Sequence, residues 1–425
     1  MNRVLIGCLC LALAATSAVA QTPAAPPALP APTAAERAAT AAALLAANVH
    51  PFVLSADGLT GEGADFLRER TARSQFVLLG EAHFDHDTPV FALGLYRLLQ
   101  QAHGFDRLVV ENDPLAMEAV DAAQGDLDQV TALARRYPTH IGFASDQDLQ
   151  LYAAVAAGSG PGAPAVWGVE QAQGADRYLE ELATLAPDSV RARVSALLEE
   201  AKAKGSRDQA SAFLHDDATL VPRLEALRAD WAPAEGSRAA DLLNSLTRSA
   251  VIYSYNRRGG AGEPVGLYNN TEREQLFREN FVARYRADSA NGRIPRAMFK
   301  MGGWHMYRGK SPGQAYTVAN LAHELAFLNG MNAYAINIVP VGGEAADLSV
   351  FPAWMRPLLP ATLPDGPVVI DLRPLKPRSG LFSGQAPEID RWQTRDFLQS
   401  FDAIVLLPTS SKATWDLTGF PAPGG

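Results

Sequence analysis

Residues 76–87, reading Phe76-Val77-Leu78-Leu79-Gly80-Glu81-Ala82-His83-Phe84-Asp85-His86-Asp87, decide how the chain is read. Four apolar residues closing on Gly80 have the length and bounds of a buried strand. A polar group follows at once: Glu81, His83, Asp85, His86 and Asp87. Thr88-Pro89 then predicts a helix start, with threonine as N-cap and proline at the first helical position. Phe91, Leu95, Leu98 and Leu99 give that helix an apolar stripe, and His103-Gly104 marks its end. A second strand over 108–110 stops on Glu111. Strand, helix, strand is a parallel unit, and in open α/β sheets ligands bind beyond the carboxyl ends of the strands. Acids and imidazoles stand there, so an active or binding site is expected there.

Outward from this unit the pattern repeats. Asp113-Pro114 restarts a helix through residue 123, and 127–137 and 146–157 predict two more. A third strand over 165–169 ends on Glu170, and a fourth over 297–303 ends at Trp304-His305. Strands are also expected over 334–341, 368–372 and 403–407. Toward the front, 44–54 reads as a short helix and turn, and 59–73 as a helix. Between 176 and about 258 strand signals vanish and leucines recur at helical spacing, which predicts a helical insertion or cap. Residues 269–285 form a further helix, with Thr271 and Glu274 spaced as a capping box. The fold class is α/β: a mostly parallel sheet covered by helices on both faces, with a helical insertion, in one domain over 40–425.

Composition bounds the function. The chain has 425 residues, 20% charged and 48% hydrophobic, with a formal charge of -9. That acidic balance without a basic cluster excludes nucleic acid as the expected partner. Residues 1–20 carry a short basic start, an apolar run and Ala18-Val19-Ala20 before Gln21, the form of a cleaved signal peptide. The run is too short to span a membrane. A lipoprotein reading at Cys8 is weaker, because the apolar run continues past it. A periplasmic or secreted protein is therefore expected, with a Pro/Ala-rich tether over 21–39. Both cysteines, Cys8 and Cys10, lie in the signal, so the exported chain has no disulfide, thiolate nucleophile or cysteine metal ligand.

Glu81 and His83 share a strand-to-helix loop, where they either cap the helix or do chemistry. Glu111 and Glu170 end apolar strands, where a carboxylate is costly unless it is paired or faces a cleft. His305 follows two glycines and Trp304, an aromatic suited to a pocket wall. His86 has Asp85 and Asp87 as potential orienting groups, set against a plain solvated-loop role. His50, His103, His140, His215 and His323 lack such company and read as structural. Ser145 and Ser254 lack the glycines of a nucleophile elbow, so a serine triad has little support.

The same residues resemble the erythromycin esterase-like proteins, a superfamily with the ChaN-like haem-uptake and Tiki proteins. The resemblance rests on Gly80-Glu81-Ala82-His83, Glu111, Gly168-Val169-Glu170 and His305. Arg273-Glu274 and Asn280, on the helix before the late strand, extend it. Two departures separate this chain from macrolide esterases more than from the fold. Glu170 stands where they usually have Asp, and Gly-Gly-Trp-His lacks their Asn-containing histidine pair. With the export signal, the first reading is an exported hydrolase of an ester, lactone or amide, with His83 as general base, Glu81, Glu111 or Glu170 orienting it, and His305 polarising or protonating the substrate. His86, Trp304, Arg273 and Glu274 are then candidate substrate-binding residues for a small molecule. One variant places a divalent metal on His83, His305 and Glu111. The alternative is a haem-binding module, with Met301, Met306 or Tyr307 beside His305 as iron ligands.

Overall fold

The computed structural model describes residues 32–160, 162–206, 209–290, 292–342 and 348–415. The expected export signal lies outside them. Helix α1 (Ala34–Ala46) begins inside the stretch expected to be a tether. Its cause is a capping box that the proline-rich surroundings obscured. The Thr33 side chain accepts the Glu36 N–H, and the Glu36 carboxylate accepts the Thr33 N–H at 2.7 Å. Where a helix and turn were expected, short strands follow: β1 (Val49–Pro51), then a hairpin of β2 (Val53–Ser55) and β3 (Gly58–Thr60). Three-residue strands are too short to register as an alternation.

Helix α2 (Glu62–Thr71) leads into β4 (Ser74–Glu81), α3 (Asp87–His103) and β5 (Arg107–Val110). Helix α3 starts slightly earlier than Thr88-Pro89 suggests. Asp85 is the effective cap, its Oδ1 accepting both the Thr88 N–H (3.0 Å) and the Thr88 hydroxyl (2.9 Å). Gly104 ends α3 at φ +70°, where a side chain would be strained. Helices α4 (Pro114–Ala122), α5 (Leu127–Arg136) and α6 (Asp146–Ala156) precede β6 (Val166–Gly168). The insertion comprises α7 (Asp176–Leu185), α8 (Asp188–Lys204), α9 (Ala212–Asp216), α10 (Leu220–Trp231) and α11 (Arg238–Gly260). Then come α12 (Tyr268–Ser289), β7 (Ala297–Gly302), α13 (Val318–Leu328), β8 (Asn332–Gly342) and β9 (Val368–Asp371). Helices α14 (Ser379–Ser383) and α15 (Arg391–Ser400) precede β10 (Ala403–Ser410).

Eight strands form one sheet in the order β1-β9-β10-β8-β4-β7-β5-β6. Only β9 runs against its neighbours, so the sheet is mostly parallel. Strand alternation splits the core into two layers. Val77 and Leu79 of β4 pack with α2, α3, α4 and α6 on one face. Phe76 and Leu78 pack with Phe277 and Phe281 of α12, with α13 and with Phe397 of α15 on the other. Each fully buried side chain such as Leu95 or Phe281 contributes about 1.5–3 kcal/mol of apolar burial. The insertion holds a third core of its own, in which Leu179, Leu197, Leu224 and Leu243 meet. Among the described residues no helix is long and apolar enough to cross a membrane.

Candidate active site

Four adjacent strands, β4, β7, β5 and β6, point the same way and release their chains at one edge of the sheet. Glu81 is the last residue of β4 and His83 lies two residues beyond it. Glu111 follows β5, Glu170 follows β6, and Gly303–Met306 is a 3-10 turn that carries His305 off β7. The structure brings all five side chains together.

His83 sits between two carboxylates. Its Nδ1 is 3.2 Å from Glu81 Oε1 and its Nε2 is 3.6 Å from Glu111 Oε2. One flat side of the ring stacks on Phe143, with centroids 4.4 Å apart. Gly302 makes this approach possible, because a Cβ there would lie 3.0 Å from His83 Nε2 and 3.2 Å from Glu111 Oε2. The Gly302 N–H instead donates to Glu111 Oε2 at 2.6 Å. Glu111 also reaches His305, whose Nε2 is 3.3 Å from Oε1. The other nitrogen of His305, Nδ1, is 2.6 Å from Glu274 Oε1. Glu111 thus stands between two imidazoles, each backed by a second carboxylate.

Arg273 and Glu274 of α12, candidates for substrate contact, are both bonded into the cluster. Arg273 donates to Glu111 Oε1 at 2.5 Å and pairs through two nitrogens with Glu170. Buried Glu274 accepts the Val318 N–H at 2.8 Å while holding His305. Its tertiary partners override the expected Thr271–Glu274 capping box, and α12 starts before Thr271. Asn280 of the same helix donates to the Val169 carbonyl at 3.0 Å, fixing the end of β6.

Charge explains the protonation states. Burial pushes the His83 pKa down, but the charges of Glu111 and Glu81 outweigh it and the pKa is raised. Burial likewise opposes His305, yet Glu111 and its bond to Glu274 push it up to about 9. Burial would raise the Glu111 carboxyl, but His305, His83 and Arg273 hold it well below the usual carboxylate range. For Glu170 burial wins over Arg273, and its pKa is raised.

Lys300 and Asp148 are site residues that the sequence reading missed. Lys300, fully inside β7, places Nζ 2.6 Å from both Glu81 Oε2 and Asp148 Oδ1. It holds Glu81 ionised against burial. A lysine in the apolar run 297–303 was itself a signal, because a buried ammonium requires carboxylate partners.

Two candidates stay outside the cluster. Trp304 is 55% exposed. Successive residues of a 3-10 turn point about 120° apart, so Trp304 and His305 do not share a face. His86 bonds to its neighbour Asp87 at 2.7 Å and, with it, lines a separate cavity of about 790 Å³ between α3 and α6. His140, read as structural, is buried 3.2 Å from Asp113.

The residues proposed for a metal do not fit one. The Arg273 guanidinium is 2.5 Å from Glu111 and 3.2 Å from His305 Nε2, where a cation shared by those groups would have to sit. Among the described residues no group of three His, Cys, Asp or Glu side chains is arranged to hold a metal ion. The suggested haem ligands are committed elsewhere. Met301 and Met306 are fully buried in the second core layer, and Tyr307 packs on Phe401.

No family model and no curated protein sequence matches the chain. Solved structures do match its fold. An erythromycin esterase, a mutant of EreC in its open conformation, aligns over 86% of this chain and 98% of its own, with a TM-score of 0.56 and 14% identity. A Bacillus cereus protein covers 89% of this chain and 98% of its own at TM-score 0.50 and 13% identity. A succinoglycan biosynthesis protein covers 88% and 98% at TM-score 0.50 and 12% identity. The chain has the erythromycin esterase-like fold.

Proposed function

We propose that the protein is a hydrolase of ester, lactone or amide bonds that acts outside the cytoplasm. The observation that carries this is His83. Its side chain is 23% exposed while Glu81 and Glu111, which flank it, are 5% and 3% exposed. An imidazole held by two carboxylates at the mouth of a buried charged cluster suits a general base. In its neutral form His83 takes a proton from water as the water oxygen attacks the carbonyl carbon. Glu81, fixed by Lys300, holds the Nδ1 side of the ring. His305, charged at neutral pH, and Arg273 supply positive charge beside Glu111 for the oxyanion that develops. When the tetrahedral intermediate collapses, the bond to the leaving oxygen or nitrogen breaks, and His83 returns its proton to that atom.

The test is His83→Ala, assayed on a panel of esters, lactones and peptides and followed by thermal unfolding. Turnover should fall by roughly 10²–10⁴-fold, the usual contribution of a general base, while the variant still unfolds cooperatively from a folded state. Wild-type turnover in the variant would end the base assignment. Haem bound through His83 or His305, with no hydrolysis by wild type, would replace the hydrolase reading. The proposed location rests on residues 1–20, and sequencing of the exported protein should find Gln21 first. An intact Met1 would reject it.

A further inference from the structure

A cavity of about 310 Å³ opens between the strand-end loops and the insertion, and its wall chemistry differs from that of the cluster beneath it. Gln171 and Gln173 line it from the loop after β6, and Asn256 and Asn269 from α11 and α12. Phe143 and Tyr253 add two aromatic rings. Among the described lining residues Arg273 is the single charged side chain, and it is already committed to Glu111 and Glu170. An anionic ligand would have to compete with two carboxylates for it, and a cationic ligand finds no carboxylate among those lining residues. The wall is built for uncharged groups.

Gln171 carries the argument further. It is only 6% exposed, and although its amide meets the Tyr253 hydroxyl, its Oε1 has no hydrogen-bond partner among the described residues. A buried amide oxygen left without a donor costs free energy unless something supplies one. Its neighbour Gln173 is seated with equal care, since a Cβ on Gly142 would collide with Gln173 Oε1. Carboxamides both donate and accept, as hydroxyl groups do, so such a wall matches a ligand rich in hydroxyls. Phe143 ties this cavity to the chemistry, because the ring that lines it also stacks on His83.

We infer that the substrate is a neutral, hydroxyl-rich ester, one borne on a sugar or polyol, whose hydroxyls satisfy Gln171 and the neighbouring amides while its acyl group reaches His83. This rests on the hydrolase reading, and the experiment separates the two. The full mature chain is assayed on four acetyl esters: monoacetylated methyl glucoside, phenyl acetate, acetylcholine and acetylsalicylate. Binding of maltotriose is measured in parallel by calorimetry. The sugar ester should be preferred in kcat/KM, and Gln171→Leu should cut its preference over phenyl acetate about tenfold, the worth of one hydrogen bond to a buried group. Gln173→Leu provides the same readout should Gln171→Leu fail to fold. Hydrolysis of phenyl acetate or a charged ester at least as well as the sugar ester would overturn the substrate class and leave the hydrolase standing. Maltotriose binding that Gln171→Leu abolishes, with no ester turned over, would keep the ligand class and remove the hydrolase. Absence of both sugar preference and sugar binding would overturn the inference.

Discussion

The two halves of the sheet end differently. In the half formed by β6, β5, β7 and β4, the chain leaves each strand through a charged side chain, and those side chains meet beneath the insertion. In the half formed by β8, β10, β9 and β1, the same edge closes on backbone. At the end of β8 a Cβ on Gly342 would lie 2.9 Å from the Ser410 carbonyl of β10. The chain beyond β10 then crosses the loop after β4. Ala413 N–H donates to the Phe84 carbonyl and His86 N–H to the Ser411 carbonyl, both at 2.9 Å. These bonds hold Phe84 at φ +66°, a left-handed conformation that a phenylalanine rarely adopts. Parallel strand direction therefore makes a site available without making one. The difference lies in what covers the edge: a separately cored helical cap over one half, the segment that follows β10 over the other.

The largest predicted contrast compares two lysines. Lys300, in the chemical half, is 2% exposed between Glu81 and Asp148, which are 5% and 6% exposed. Lys376 pairs with Asp402 at 2.7 Å near the start of β10, with side chains 18% and 11% exposed. Removing one partner of a fully buried pair strands the others, so Lys300→Met should cost about 3–5 kcal/mol. Water can reach the second pair, and Lys376→Met should cost about 1 kcal/mol. Urea unfolding with an unchanged m-value would measure both. Equal costs would show that the chemical half is no more tightly tied than the other.

A smaller effect is set by pH. The base form of His83 must be neutral, and its pKa is raised above 6.5, so kcat/KM should climb about tenfold per pH unit up to a midpoint above 6.5. His305 loses its positive charge near pH 9, and activity should fall beyond it. The two imidazoles face each other across Glu111, so the profile reports the pair as a unit. His305→Gln should abolish the upper limb. Stability carries the same sign: a histidine whose folded pKa is raised stabilises fully below its unfolded value near 6.5, and that stabilisation is lost as pH rises through about 9. A melting temperature flat from pH 6.5 to 9 would break the link between the cluster and the fold.

The strands and most cluster members were legible because each apolar run stops on a residue that has no reason to be there unless paired. The order of the strands was not. Strand β7 inserts between β4 and β5 from almost two hundred residues away, and nothing local to residues 297–302 records that partnership. Asp148 was hidden by its second task, since its other oxygen completes the Ser145 cap of α6. Arg273 and Glu274 were legible as important, but their bonds to Glu111, Glu170 and His305 were not, because a sequence shows which side chains are charged and not what they face. Gln171 and Gln173 were invisible, since uncharged amides break no pattern.

The smallest predicted effect separates two histidines three residues apart. Both lie in the loop after β4, and both touch an adjacent carboxylate, His83 at 3.2 Å and His86 at 2.7 Å. His86 belongs to the part of that loop held by the end of β10 and the segment after it. There the Ser410 hydroxyl donates to Asp85 and the Asp87 N–H donates to Ser410 Oγ. Its backbone makes the contact that matters, and its ring is 38% exposed. His86→Ala keeps the backbone bond to Ser411 and removes only a half-buried side-chain contact with Asp87 worth less than about 1 kcal/mol. Turnover should stay within about twofold of wild type, with stability within about 0.5 kcal/mol, as for surface substitutions generally. Assayed beside His83→Ala on the same esters, it isolates the chemistry from the loop. A loss in His86→Ala comparable to that in His83→Ala would mean that the segment after β10 positions the base, and the division between the two halves of the sheet would no longer hold.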